Sequence, residues 1–144
     1  MTDLTDNQIT EKIIGIAMEI HRVMGPGLLE KVYELILFNE LQQAGFEVRR
    51  QVKVPIHYNG KLIRTAFIID ILVQNRIVLE IKAVEKLAPS ARSQLLTYLR
   101  LKHLTLGLIL NFSHQTMREG IHRVVSGFVE PNPYNISAPS PSLN

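Results

Sequence analysis

The apolar residues of this chain recur first at helical spacing and later at nearly alternate positions. Ile9, Ile13, Ile16, Ile20 and Val23 lie three or four apart, which predicts an amphipathic helix over residues 8–24. Gly25-Pro26-Gly27 ends it, because proline lacks a donor and glycine tolerates unusual dihedrals. A second helix is predicted over 28–43, with Leu29, Val32, Leu35 and Ile36 inward and Gly45 closing its end. The pattern then becomes extended over 46–58, turns at Asn59-Gly60 and continues over 61–65. Two β-branched runs, 66–73 and 77–82, flank Gln74-Asn75-Arg76 and read as a hairpin. Pro89-Ser90 opens a third helix to about residue 102, followed by an apolar strand over 104–112 and a last helix over 115–128. No internal repeat is visible. The order α-α-β-β-β-β-α-β-α predicts an α/β (α+β) domain over 1–128, with a central mixed sheet flanked by helices. The Pro/Ser/Asn-rich residues 129–144 are expected to be a disordered tail.

The hairpin carries charges where its packing needs none. Asp70-Ile71-Leu72-Val73 and Ile77-Val78-Leu79-Glu80-Ile81-Lys82 are apolar enough for the middle of a sheet, yet hold two carboxylates and an ammonium. Side chains alternate along a strand, so Glu80 and Lys82 share a face, and the turn can bring Asp70 beside them. Burying such groups costs several kcal/mol each unless they are paired or bind a metal. That expense points to a site.

Composition narrows the chemistry. The 144 residues fit one domain with a real core, and no apolar run is long enough to span a bilayer. Residues 1–8 are polar and acidic, so no secretory leader is expected. With no cysteine there are no disulfides, thiol nucleophiles or cysteine-held metals, and a cytoplasmic location is expected. The five histidines are scattered; His114 and His122, eight apart, are expected exposed on the last helix. Net charge is +3, which permits an anionic partner. Arg49, Arg50, Lys53, Lys61 and Arg64 crowd one segment against Glu47, and Arg92 lies in a second stretch without acids. Taken alone, each cluster reads equally well as a solvated face. Beside a carboxylate site, the same cations become candidates for phosphate contacts.

Helix-borne polar residues add to the pattern. Gln94 and Tyr98 are four apart and share a face of the third helix. By themselves they fit an ordinary amphipathic helix. Glu30 in the first turn of the second helix is favoured by the helix dipole alone.

Together these residues carry a family likeness. Helix-Glu30, strand-Asp70, Glu80-x-Lys82 on the next strand and Gln94-x-x-x-Tyr98 on the following helix resemble the PD-(D/E)XK nuclease superfamily, most of all its RecB-like branch. Gly27-Leu28-Leu29-Glu30-Lys31-Val32-Tyr33 is also similar to the motif that names the GxxExxY family. The likeness covers nearly all of residues 8–128 and implies a restriction-endonuclease-like core. It implies Asp70 and Glu80 as metal carboxylates, with the Ile81 carbonyl as a further ligand and Glu30 on the rim. Lys82 would act on the attacking water or the phosphate, while Gln94 and Tyr98 would position site and substrate. Mg²⁺ or Mn²⁺ is the implied cofactor, because hard oxygen ligands suit hard cations. Two positions depart from the pattern: Ile68 stands where relatives commonly carry a basic residue, and no proline precedes Asp70.

Two functions follow as expectations. One is a metal-dependent nuclease or phosphodiesterase acting on nucleic acid, DNA ahead of RNA, with Arg49, Arg50, Lys53 and Arg92 on the backbone. The other is an inactive nuclease-fold module that binds nucleic acid or a protein partner. No membrane association is expected, and a homodimer through the first helix is as compatible with the pattern as a monomer.

Overall fold

The computed structural model describes residues 3–127, apart from the side chains of Thr65 and Ala66. The residues of the expected tail, 129–144, lie outside the described residues, as does Phe128. Helix α1, Asp6–Met24, starts at a capping box in which Thr5 accepts from the Gln8 backbone at 3.2 Å and Gln8 accepts from the Thr5 backbone at 2.9 Å. It buries Ile9, Ile13, Ala17 and Ile20, whereas Val23 is 63% exposed. Helix α2, Glu30–Gln43, follows the glycine-proline break.

The predicted inward face of α2 is rotated. Tyr33, Glu34, Leu37 and Leu41 are the buried residues, and Leu29, Val32 and Leu35 are exposed. The rotation follows from two polar anchors that an apolar pattern does not count. The Tyr33 hydroxyl donates to the Gly25 carbonyl at 2.5 Å and accepts from the Leu28 backbone at 3.1 Å, while its ring stacks on Phe112. Glu34 is held by β1.

Five strands form one sheet in the order β1-β2-β3-β4-β5. They are β1 Val48–Tyr58, β2 Lys61–Val73, β3 Ile77–Lys82, β4 Leu106–Asn111 and β5 Ile121–Val125. Neighbours are antiparallel except β3 and β4, which run parallel and are joined through helix α3, Ser90–Lys102. The sheet is therefore mixed, as expected. Helices α1 and α2 cover one face over Ile71, Val73, Ile77, Leu79 and Ile81; α3 covers the other over Ile69, Leu72 and Val78. Among the described residues no helix is long and apolar enough to cross a membrane.

Two expected elements differ. The extended pieces 61–65 and 66–73 are one strand, β2, whose register against β1 shifts between Val54 and Ile56. Pro55, with no donor, sits at the shift. The last helix is not formed: Met117–Gly120 is a single 3₁₀ turn, and Ile121–Val125 pairs antiparallel with β4 as an edge strand. Gly120 permits it. A Cβ there would lie 1.8 Å from the Asn111 carbonyl oxygen, so only glycine lets the turn press against β4. His122 consequently lies on this strand, half-buried, and burial first, then Arg92 and His114, hold its imidazole below the usual range.

Candidate active site

Alternation along β2 breaks at Asp70. Ile71 and Val73 face α1 and α2, and Leu72 faces α3, so Asp70 and Ile68 would continue on the α3 side. Instead Phe67 and Ile69 pack on that side, and Ile68 is 39% exposed. The strand changes phase by one residue at Asp70. Opposite it on β1, between the pairs Arg50↔Ile71 and Val52↔Ile69, stands Gln51 with φ 52°. β2 and β3 also part here, their last pair being Ile71↔Leu79. The aspartate thus sits in a split of the sheet, and its Oδ2 accepts from the Ile81 backbone at 2.9 Å. On its other edge, β3 bonds β4 through the Lys82 carbonyl, which accepts from Phe112 at 2.9 Å. Successive residues of a strand bond to opposite sides, so the Ile81 carbonyl turns toward the split with its N–H.

Glu80 follows Leu79 at the same opening. Its Oε1 is buried without a hydrogen-bond partner. Both carboxyls resist ionisation. Burial, with Glu34 and Glu30 nearby, pushes Asp70 up to about 6 against the opposing effects of the Ile81 N–H and Lys82. Burial and the Asp70 charge push Glu80 up to about 8, again opposed by Lys82. Two half-buried acids beside one cation cost stability, and fold packing returns none of it.

α3 closes the other side. Lys82 and Gln94 line one small cleft of about 130 Å³ together with Lys86 and Ser90. Tyr98 stacks on Phe67 with centroids 4.0 Å apart and planes within 6°. Burial first, then the charges of Glu80 and Asp70, raise its hydroxyl above the usual phenol range, which places it in the field of the carboxylates. Lys82 and Tyr98 therefore lie within the electrostatic reach of Asp70 and Glu80, and Gln94 reaches the group through the cleft it shares with Lys82.

Helix α2 brings in Glu30, exposed at the rim, and Glu34, a residue the sequence pattern did not single out. Glu34 is 5% exposed and its carboxylate is fully engaged: Arg50 at 2.9 Å and Gln51 Nε2 at 3.0 Å to each oxygen. That clamp ties α2 to the distorted residue opposite Asp70. Tyr33 of the Gly27…Glu30…Tyr33 motif serves the fold by fixing the α1–α2 junction, which sets the start of α2 and with it Glu30. Asn111, in register with Lys82, is a second missed residue. Its amide donates to the Val84 carbonyl at 2.9 Å and accepts from the Val84 N–H at 3.1 Å, fixing the chain just after Lys82.

The cations divide. Arg50 is committed to Glu34 and lies 5.8 Å from the Phe38 ring centroid. Arg49 donates to Asn75 at 2.7 Å, and Arg92 donates to the Arg123 carbonyl at 3.1 Å, on the β5 side of α3 away from Gln94. Lys53 is exposed on β1 opposite Ile68.

A family model of the PD-(D/E)XK nuclease superfamily matches residues 7–124. The chain belongs to that superfamily. No curated protein and no solved structure matches it.

Proposed function

We propose that the protein is a divalent-metal-dependent nuclease of the GxxExxY type, within the RecB-like branch, that hydrolyses phosphodiester bonds of nucleic acid in a reducing cytoplasm. The observation that carries this reading is the Asp70–Glu80 pair in the split of the sheet, with one Glu80 oxygen buried and unpartnered. Among the described residues no group of three or more His, Asp or Glu side chains is arranged to hold a metal. The fit therefore rests on Asp70, Glu80 and the Ile81 carbonyl, three hard oxygen donors, one of them a Glu80 oxygen that no protein group engages. That set suits Mg²⁺ or Mn²⁺, which keep several waters and need few protein ligands. Such an ion supplies Lewis acidity to a water and to the phosphoryl oxygens.

The chain's own residues do the rest. Lys82 places an ammonium where negative charge develops on the phosphoryl group, and Glu30 at the rim accepts a hydrogen bond from the incoming water. Gln94 and Tyr98 hold the substrate against the cleft. The water oxygen bonds to phosphorus and gives up one proton to solvent, the P–O bond to the leaving nucleoside breaks, and the leaving oxygen takes up a proton from solvent, so one water is consumed for each bond cut. No protein nucleophile takes part.

The test is cleavage of single- and double-stranded DNA and RNA in Mn²⁺. At least one substrate should be cut, and Lys82→Ala should lose about 10²–10³ in rate, a transition-state contact of about 3–4 kcal/mol, while Mn²⁺ affinity measured by calorimetry stays nearly unchanged. Wild-type rates in Lys82→Ala would assign the chemistry to other residues. Binding of nucleic acid without cleavage of any substrate would establish the inactive module.

A further inference from the structure

The β1–β2 hairpin outruns the rest of the fold. β3 pairs with β2 over Ile71, Leu72 and Val73, and among the described side chains the core under α3 takes none from the hairpin past Val54 and Phe67. Beyond the register shift, Ile56↔Ile63, His57↔Leu62 and Tyr58↔Lys61 form a two-stranded ribbon. Asn59 and Gly60 close it with φ of 50° and 74°, both positive as a type I′ turn requires. An isolated ribbon is marginal in water, and this one leaves Tyr58 67%, Leu62 45% and Ile63 49% exposed.

Its charge has one sign. Residues 48–69 contain Arg49, Arg50, Lys53, Lys61 and Arg64 and no acid. The two arginines at the base are engaged by Asn75 and Glu34. Lys53, Lys61 and Arg64 are exposed, and among the described residues none is in an ion pair. The same strand that bears Lys61 and Arg64 reaches Asp70. At about 3.3 Å per residue, Lys61 is at most about 30 Å from the carboxylate, less than one turn of B-DNA at roughly 34–36 Å.

We propose that this ribbon is a DNA-binding arm that enters the major groove of a duplex while the Asp70–Glu80 site meets the backbone of the same molecule. The proposal rests on the nuclease reading and adds its substrate class, double-stranded DNA. The major groove of B-DNA, about 12 Å wide, admits a two-stranded ribbon, whereas the major groove of duplex RNA is deep and narrow. Lys61 and Arg64 neutralise phosphates at the groove edges, and the exposed Tyr58, Leu62 and Ile63 supply apolar contact to base edges.

The experiment is binding of the full chain to a DNA duplex, a matched RNA duplex and a single strand, followed by fluorescence anisotropy across a salt series. Wild type and Asp70→Asn should both bind the DNA duplex most tightly. The double variant Lys61→Glu with Arg64→Glu should lose at least tenfold in duplex affinity, and its log K against log salt slope should flatten by about 2, since each phosphate contact contributes about 0.9. Both substitutions are on exposed side chains, and an unchanged melting curve verifies the fold. Wild-type duplex affinity in that variant, or equal affinity for all three nucleic acids, overturns the arm. So does a change of sedimenting mass in the variant, which would make the ribbon a contact between copies of the chain. A cleavage assay run alongside separates the two readings. DNA cutting with duplex binding intact in the variant overturns the arm and keeps the nuclease. Ribbon-dependent duplex binding with no cutting supports the arm and overturns the nuclease.

Discussion

At Asp70 and Glu80 the energetics run against the fold, and that makes their role testable without any substrate. An ordinary carboxyl loses its proton near pH 4. Here burial, helped by the Glu34 and Glu30 charges at Asp70 and by the Asp70 charge at Glu80, delays the loss to about 6 and about 8. Between those limits the folded chain holds more protons than the unfolded chain, so stability falls as pH rises and levels off above about 8. Metal-free protein in a chelator should therefore melt at a higher temperature at pH 5 than at pH 8. Asp70→Asn keeps an acceptor for the Ile81 N–H and removes one charge, so at pH 8 it should gain about 1–3 kcal/mol and show a flatter pH profile. A lower melting temperature in that variant would mark Asp70 as a structural ion-pair partner. These two residues were legible in the sequence because an apolar strand does not need them. Glu34 and Gln51 were not. A glutamate on a helix ordinarily faces water, and only the approach of β1 to α2 turns it inward to Arg50.

At the scale of elements, period and punctuation located α1, α2, α3, β3 and β4 closely, and the departures have local causes. The phase of α2 was set by a tyrosine hydroxyl and a clamped carboxylate, both invisible to an apolar count. The region 115–128 has apolar spacing that suits a helix, but edge pairing with β4 overrides it once Gly120 lets the backbones meet. The change of phase at Asp70 is likewise a tertiary event, made where β3 leaves β2 and Gln51 takes a left-handed conformation. The role of Gly120 can be isolated. Gly120→Ala would drive a Cβ into the Asn111 carbonyl, and urea denaturation should show a loss of about 3 kcal/mol. Gly127→Ala, with nothing within 4 Å of the added carbon, should leave stability within ±0.5 kcal/mol. Equal midpoints for the two variants would mean that β5 contributes nothing to the cooperative unit.

Across the whole molecule, α2 on one face, the crossover helix on the other and the split between β2 and β3 bring charged and polar groups to the Asp70–Glu80 pair. The core on both faces is mainly aliphatic packing with a Tyr33–Phe112 stack, so stability is available to offset a costly pair of acids. Metal binding should return that cost. An ion that binds only the folded chain stabilises it by RT ln(1 + [L]/Kd), about 2.7 kcal/mol at a hundredfold excess over Kd. It must also displace the protons that Asp70 and Glu80 retain, so its affinity rises with pH through the window from about 6 to about 8. Two opposite trends result. The melting temperature of metal-free protein falls as pH rises, whereas the increment produced by Mn²⁺ grows. At pH 5.5 Mn²⁺ should barely move the melting curve, and at pH 8 it should raise it clearly above the chelated sample. Asp70→Asn should abolish the increment at both pH values while starting from a more stable metal-free state. An equal increment at pH 5.5 and pH 8, or one that survives in Asp70→Asn, would place the ion elsewhere on the protein and leave the acid pair without its partner.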